Sequence, residues 1–523
     1  MPQQPFTRYF KLEKTPTRTW QEWFFGVGGN IALVVLAGLL GALLFPPYEI
    51  WWAGWVLLIP LFIALRRTRR CAAAGWLMLL FGLVFFAGAL PWIRQIFGAC
   101  ALGVYLLMAL PLVPFGIVYR WMAGRQPAWA TVVLAGLLWV ACDWVRCEGW
   151  YFQFSWAQLG LAFVACRKGG VLYPYLGVYG VTLLLVLSNA VAAEILLAWQ
   201  SWRARLLPLL ACAVPVLVLS LYLNGPAGPH VAGGTPMRVA MVQSELGNFA
   251  DLRKATLALQ PRHPQLIVWP EYALMDDPLS QPKEMQQLAQ LARDMDATLV
   301  LGCKRHLPDD TPCDWLRRRG MMSEDGELYA NTALIIDPRG ILLGSYQKTH
   351  PIQFFADGVP GTRFPSFATP VARLGVAICY DFDYAATARK LTQHGAEILV
   401  VPTFDASTWG AQQHRQHARI AQARAAEVGR WVVRTTSSGL SQLITPQGYN
   451  AVTINDCNGQ LASAVGEVTP SNGMTVYVRY SHYLPQVALI VVIMWMFGFT
   501  GVCPGGERMN LARQGQPGMR KQK

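Results

Sequence analysis

Eight long apolar stretches punctuate the chain, near residues 24–45, 50–65, 71–90, 98–118, 128–145, 171–198, 206–223 and 485–503. A helix that crosses the hydrocarbon core of a bilayer needs about 20 mostly apolar residues, so each stretch predicts a membrane span, the second a short one. The run at 24–45 is longer than the apolar core of a cleavable leader and is followed at once by more spans, which predicts that it stays in the mature chain. Between the seventh and eighth runs the pattern changes. Residues 225–484 carry short runs rich in β-branched residues, at 238–243, 265–270, 298–303, 332–337, 373–380, 397–403, 431–436 and 474–480, which predict strands. Helical periodicity falls between several of them, near 283–295, 384–395 and 412–428. The expected architecture is a polytopic α-helical membrane bundle of about eight spans plus an extramembrane α/β domain. Its parts are a membrane domain at 1–223, a Gly/Pro-rich linker at 224–236, the α/β domain at 237–484, a last span at 485–503 and a tail at 504–523.

Composition removes the alternative of a wholly soluble protein, because 53% of the 523 residues are apolar and only 14% are charged, where soluble domains run near 25% charged. The net charge of +14 points to topology rather than to nucleic acid, since the basic residues flank the apolar runs. Seventeen Lys and Arg fall in the N-terminal segment, the loops near 66–70, 120–125 and 203–205, and the C-terminal tail. The opposite short loops hold four: Arg94, Arg146, Arg167 and Lys168. Basic loops stay in the cytoplasm, so both termini are expected there and the α/β domain outside; in a bacterium with two membranes the chain resides in the inner membrane and the domain is periplasmic. Two carboxylates, Asp143 and Glu194, lie near span ends and are the candidates for an intramembrane relay. Eleven cysteines without a C-x-x-C pair indicate no zinc site, although Cys303 and Cys313 are candidates to pair in an oxidising compartment. A P-loop, a G-x-G-x-x-G turn and H-E-x-x-H are all missing from the sequence, so no metal and no cofactor are expected.

Three polar residues of the α/β domain stand where predicted strands end: Glu271 after 268-VWP-270, Lys348 after 341-ILLGSYQ-347 and Cys379 after 375-GVAI-378. Strand C-termini are where α/β sheets build sites. Singly, each is ordinary: a small core thiol, a surface lysine, an acid opening a turn. Together they match one chemistry. An ammonium such as Lys348 lowers the pKa of a neighbouring thiol, a carboxylate in an apolar pocket such as Glu271 accepts and returns a proton, and the Lys348 ammonium with the backbone N–H of Tyr380 stabilises an oxyanion.

The order Glu, Lys, Cys, with W-P-E at 269–271, 348-KTHP-351 and 378-ICYD-381, resembles the carbon–nitrogen hydrolase (nitrilase) superfamily. That resemblance implies an αββα sandwich, with Glu271 as general base, Lys348 as stabiliser of the oxyanion and Cys379 as the acylated nucleophile. Seven spans before such a domain and one after are similar to its membrane branch, the apolipoprotein N-acyltransferases. So are 146-RCEGWYFQFSW-156 and 177-GVYGVTLLLVLSNA-190 in the bundle, and 330-ANTALIIDPRG-340, 417-HARIAQARAAEVGR-430 and 435-TTSSGLSQLITPQG-448 in the domain. The branch moves an acyl chain from phospholipid to the N-terminal amine of a diacylglyceryl-cysteine lipoprotein through a thioester, in two ping-pong half-reactions. The implied partners are a phospholipid donor, a lipoprotein acceptor and the bilayer.

Three segments depart from the branch. Its Phe-Gly-Glu-Tyr-Val-Pro stands here as 354-FFADGVP-360, so the second carboxylate is displaced and Asp357 is the nearest replacement. Cys-Tyr-Glu becomes Cys379, Tyr380 and Asp381, and Ser-Asn-Asp-x-Trp-Phe-Gly becomes 403-TFDASTWG-410. Phe354, Phe355, Asp405 and Trp409 are therefore candidates for the substrate loops, with Tyr380, Asp381 and Asp357 close to the reacting atoms. The alternatives are a membrane-tethered amidohydrolase, an acyltransferase for another amine, and a non-catalytic relative.

Overall fold

The computed structural model describes residues 26–123, 125–166, 169–197, 233–245, 247–308, 328–353, 355–456 and 458–501. The predicted span at 206–223, most of the linker, the tail, Cys313 and Phe354 lie outside the described residues. The N-terminal half is helical: α1 (Val27–Ala42), α2 (Ile59–Arg67), α3 (Cys71–Ala89), α4 (Trp92–Phe97), α5 (Ala101–Ala109), α6 (Val113–Met122), α7 (Ala128–Trp144) and α8 (Tyr173–Leu197). Among the described residues, five helical stretches are long and apolar enough to cross a membrane: Cys71–Ala89, Trp92–Met122, Ala128–Gly149, Tyr173–Leu197 and Ser481–Gly498. The expected first span is the 16-residue α1.

The expected second span at 50–65 is not one continuous helix. It forms a short 3-10 turn, Trp51–Trp55, followed by the nine-residue α2, which at 1.5 Å per residue is too short to cross. Broken backbone at this depth needs partners from within the protein. Asn189 of α8 supplies them: its Oδ1 accepts the Leu58 N–H at 2.8 Å and its Nδ2 donates to the Gly54 carbonyl at 2.8 Å. The two carboxylates considered for a relay are each held by an arginine, Asp143 by Arg146 at 2.7 Å and Glu194 by Arg66 at 2.8 Å.

The C-terminal half comprises, in order, β1 (Met237–Gln243), α9 (Phe249–Leu257), β2 (Leu266–Val268), α10 (Pro282–Met295), β3 (Thr298–His306), β4 (Tyr329–Ile336), β5 (Leu342–Gln347), β6 (Ser366–Ala368), β7 (Arg373–Val376), α11 (Ala385–Gln393), β8 (Ile398–Thr403), α12 (Ala411–Val428), β9 (Trp431–Thr436), β10 (Gly439–Ile444), β11 (Asn450–Asp456), β12 (Ala462–Val468), α13 (Val476–Arg479) and α14 (Leu484–Gly501). Two six-stranded mixed sheets result, ordered β12-β1-β2-β3-β4-β5 and β11-β10-β9-β8-β7-β6. In each, three adjacent strands run parallel (β1-β2-β3 and β7-β8-β9) and the remaining pairings are antiparallel. Alternation along the strands separates the layers. Val239 and Met241 of β1 face inward with Leu374 and Val376 of β7, whereas Ala240 and Val242 face outward with Leu288, Leu291 and Met295 of α10. On the other side Leu391 of α11 and Ala421, Ala425 and Val428 of α12 cover Leu399 and Val401 of β8. The domain is thus a nitrilase-like αββα sandwich.

Two expected strands differ. The run at 373–380 ends as a strand at Val376, and Cys379 opens a 3-10 turn, Cys379–Asp383. The run at 474–480 is helical over Val476–Arg479, where the Thr475 side chain caps the helix by accepting the Val478 N–H at 3.2 Å. Cys303 is buried in β3.

The two halves meet along a polar seam. Helix α8 is kinked at Gly177, whose φ is +65°, and the restarted helix offers the Val178 N–H to Glu427 Oε1 of α12 at 2.7 Å. A side chain at Gly177 would strike the Tyr477 ring. Trp156 Nε1 donates to Asp383 Oδ2 at 2.5 Å, and Trp92 Nε1 to Gln416 Oε1 at 2.9 Å.

Candidate active site

Glu271, Lys348 and Cys379 stand just beyond the C-terminal ends of β2, β5 and β7, so the first sheet contributes the acid and the ammonium and the second sheet the thiol. All three are buried, with 2%, 0% and 2% of their surface exposed. Lys348 Nζ lies 2.8 Å from Glu271 Oε1 and 2.7 Å from Asp357 Oδ2, so the loop after β5 brings Asp357 to the lysine. Asn331 of β4 donates to both acids, to Glu271 Oε1 at 2.6 Å and to Asp357 Oδ1 at 2.9 Å. Tyr272 OH donates to Asp357 Oδ1 at 2.6 Å, and the Ile352 N–H to its Oδ2 at 2.8 Å.

The thiol and the acid are linked through one residue. Cys379 Sγ donates to the Phe404 carbonyl at 3.6 Å, and the Phe404 N–H donates to Glu271 Oε2 at 2.7 Å. Cys379 has φ +50°, a left-handed conformation uncommon for a residue with a Cβ and frequent at sites where strain is held by the surroundings.

Electrostatics sets the resting protonation. Burial opposes the charge of Lys348, but Asp357 and then Glu271 outweigh it and raise its pKa well above the ordinary lysine value. Burial also raises the Glu271 carboxyl, against the pull of Lys348. The sequence suggested that Lys348 would lower the Cys379 pKa. Lys348 does act in that direction, yet burial first and Glu271 second raise the thiol well above its usual value, so the resting sulfur carries its proton and attack requires a base.

The other near-site candidates separate into different roles. Tyr380 OH donates to the Gln153 carbonyl at 3.1 Å, joining the turn to the bundle. Asp381 points away from the thiol: it accepts Tyr346 OH at 2.8 Å, the Thr349 N–H at 2.9 Å and the His350 N–H at 2.6 Å, tying the Cys379 turn to the segment after Lys348. Although burial works against its charge, the His350 side chain first, then Lys348 and the Thr349 hydroxyl, hold its pKa below the usual value. Phe355 and Trp409 face each other, ring centroids 6.4 Å apart.

Asp405 is fully buried and lines neither of the cavities beside the site. Its Oδ2 accepts from Arg434 Nη2 at 2.6 Å, and its Oδ1 lies 2.7 Å from His417 Nδ1. The other ring nitrogen of His417 lies 3.2 Å from Asp383 Oδ1. Both nitrogens can donate only in the imidazolium, and although burial opposes the charge, Asp405 and Asp383 raise the His417 pKa to about 9. A histidine raised on folding stabilises fully below its unfolded pKa near 6.5 and loses that contribution as pH rises through about 9. The purified protein is therefore expected to lose about 3 kcal/mol of stability between those limits, and His417→Gln to flatten that stretch of the profile. Thermal unfolding across the range checks it; an unchanged alkaline slope in the variant would contradict the assignment. Asp405 is depressed despite burial, chiefly by His417 and Arg434, so its contribution is lost in acid instead.

Asn331, Tyr272 and the residues clustered with Asp405 (Asp383, His417 and Arg434) carry no motif in the sequence that singles them out, and Asp405, expected in a substrate loop, is held instead by His417 and Arg434. Asn331 sits within the noted segment 330–340, and a lone amide in an otherwise apolar strand was the signal available.

Two cavities flank the site. One, of about 90 Å³, is apolar and lies between Trp92, Ile93, Ile96 and Phe97 of α4 and the Cys379–Tyr380 turn. The other, of about 550 Å³, is lined by Glu271, Tyr272, Asp357 and Lys304 among others.

Comparison with known proteins places residues 37–191 in the match to the family model described as apolipoprotein N-acyltransferase N-terminal domain, and residues 238–471 in that of carbon-nitrogen hydrolase. An apolipoprotein N-acyltransferase of Azotobacter vinelandii is 28% identical over 506 residues, covering 90% of this chain and 94% of that one. One of Geobacter metallireducens is 25% identical over 498 residues, covering 86% and 91%. Among solved structures, an amidase from Nesterenkonia sp. is 19% identical with a TM-score of 0.35, covering 49% of this chain and 96% of that one.

Proposed function

We propose that this chain, which resembles apolipoprotein N-acyltransferases through both its helical bundle and its carbon–nitrogen hydrolase domain, is an acyltransferase that moves an acyl chain from phospholipid, through a Cys379 thioester, to the N-terminal amine of a diacylglyceryl-cysteine lipoprotein. The observation that carries the reading is a buried thiol on the wall of an apolar cavity whose opposite wall is a helix of the bundle. A lipid ester reaches such a thiol laterally, without leaving the membrane, and confinement of both reactants supplies much of the approach.

In the first half-reaction Glu271 takes the Cys379 proton as sulfur attacks the ester carbonyl. The oxyanion is stabilised by the Lys348 ammonium and the Tyr380 N–H. Collapse of the intermediate breaks the ester C–O bond, Glu271 returns the proton to the leaving alcohol, and lysophospholipid departs. In the second, the neutral acceptor amine attacks the thioester carbonyl, Glu271 takes its proton, the C–S bond breaks to leave the amide, and Glu271 returns that proton to the departing sulfur, which restores the thiol and the carboxylate. Asp357 keeps Lys348 charged while Glu271 is protonated.

Incubating the purified protein with phospholipid and a diacylglyceryl lipopeptide is expected to add one acyl mass to the peptide and to release an equal amount of lysophospholipid. Free fatty acid with no acylated peptide would instead make water the acceptor, as in a membrane-tethered hydrolase. The bundle is proposed to have about eight spans, the second made by the broken segment 51–67 as a whole rather than by α2 alone, in the inner membrane, with both termini cytoplasmic and the catalytic domain periplasmic, from the asymmetry of basic loops. A reporter active only outside the cytoplasm, fused after Gly225, is then expected to be active and the same fusion at the C-terminus silent; silence at Gly225 would put the site in the wrong compartment.

A further inference from the structure

The thiol and the base open onto different cavities. Cys379 lines the apolar one and not the polar one; Glu271 lines the polar one and not the apolar one. Three residues, Ile352, Phe355 and Trp409, line both and so form a shared wall. The wall is aromatic and continuous with the bundle: Phe97 of α4 packs on Phe355 at 5.9 Å, Phe355 on Trp409 at 6.4 Å and Trp409 on Phe404 at 6.0 Å. Phe404 is also the residue whose carbonyl faces the thiol and whose N–H faces the acid. The reacting centre therefore sits in the wall itself, with an apolar chamber toward the membrane helices and a polar chamber on the other side.

We propose that the two chambers are separate substrate compartments: the apolar one receives the acyl chain, and the polar one receives the hydrophilic peptide segment that carries the acceptor amine. The inference rests on the acyl-transfer reading and extends it to where each substrate lies. Chemistry assigns the sides. An acyl chain gains by leaving water for Ile93, Ile96 and Phe97, whereas a peptide backbone needs hydrogen-bonding partners, and the donors of Gln353, Tyr380, Gln413 and His417 on this chamber's wall are already engaged with Tyr151, Gln153, Asp405 and Asp383. The polar chamber offers the Tyr272 and Lys304 side chains, and it presents Glu271 on the side from which an amine must shed its proton. The Phe355–Trp409 wall then has a further role. While the thioester waits, it keeps the water of the polar chamber off the acyl carbonyl, so that hydrolysis, in which water adds, the C–S bond breaks and fatty acid and free thiol result, does not compete with aminolysis.

The two half-reactions allow a double dissociation. Each is measured on the full-length protein, acylation by intact mass after mixing with phospholipid, and deacylation by adding a soluble diacylglyceryl lipopeptide to pre-acylated enzyme. Ala273 lines only the polar chamber and Ile96 only the apolar one. Ala273→Trp is expected to slow deacylation by the lipopeptide about tenfold or more with acylation within about twofold of wild type, and Ile96→Trp to do the reverse. Trp409→Ala is expected to raise the yield of free fatty acid relative to acylated peptide about tenfold. Thermal unfolding serves as the folding control, and hydroxylamine, small enough to pass either filled chamber, is expected to release the thioester from Ala273→Trp at the wild-type rate. A normal acyl adduct in the wild-type protein, with both half-reactions slowed alike by each filling substitution, would overturn the separate compartments and leave acyl transfer standing. No adduct in the wild-type protein would overturn both.

Discussion

Cys379→Ala is expected to gain no acyl mass from phospholipid, where the wild-type protein gains one chain that neutral hydroxylamine removes. Transfer to a lipopeptide is expected to fall by about 10⁴-fold or more, the scale seen when the nucleophile of a covalent mechanism is deleted. The reason is local. Cys379 is the thiol adjoining both the Lys348–Glu271 pair and the apolar cavity; Cys303 lies buried in β3, packed among residues of the outer face of the first sheet. Removing Sγ takes away one weak hydrogen bond, to the Phe404 carbonyl, so stability should hardly change. An adduct of the same mass on Cys379→Ala would assign the acyl group to another residue.

Asp357→Asn is expected to slow acylation of Cys379 by about 10²-fold or more. With Asp357 neutral, the buried Lys348 ammonium at 2.7 Å keeps one charged partner, Glu271, which must itself be protonated for some of the cycle. A buried cation without a counter-charge tends to lose its proton, and the oxyanion would lose its stabiliser when it is needed. The amide also presents a donor where Asn331, Tyr272 and the Ile352 N–H all donate to a carboxylate, so at least one of those bonds is lost. Single-turnover acylation measures the effect, with thermal unfolding as control, and restoration by Asp357→Glu would separate charge from packing. A folded Asp357→Asn protein that acylates at the wild-type rate would leave Glu271 sufficient as the sole acid.

What could be read from the sequence was whatever local pattern encodes. Glu271, Lys348 and Cys379 stand out because each closes an apolar run, and Asp357 because a carboxylate is displaced within a segment otherwise resembling the family. Strands β1, β2, β3, β8 and β9 each hold three or more consecutive apolar residues, whereas β11 and β12 alternate weakly and are exposed or half-buried at nearly every position, so their sequences read as loop. The short run at 50–65 is apolar enough to look like a span, and only Asn189, more than a hundred residues away, shows why a broken segment is tolerated there. The same holds for the Asp383–His417–Asp405–Arg434 cluster, whose members come from separate stretches of chain and carry no spacing signature. The Phe355–Trp409 wall is legible only as a pair of aromatic residues in divergent loops; that they divide one chamber from another is a fact of the tertiary fold.

The kink at Gly177 bears on how interchangeable the halves are. Glu427 of the catalytic half completes a helix of the bundle through the Val178 N–H, Tyr477 occupies the space that any larger residue at 177 would need, and Trp156 of the bundle completes a carboxylate of the catalytic half. Each half thus supplies polar partners that the other leaves unmet, and an unmet buried group costs on the order of 1–3 kcal/mol. A chimaera that grafts the catalytic half of a distant relative onto this bundle inherits the mating faces along with the active residues. It will assemble only if the incoming half brings its own carboxylate to Val178 and its own acceptor to Trp156, so the two halves are free to diverge elsewhere but must change together here.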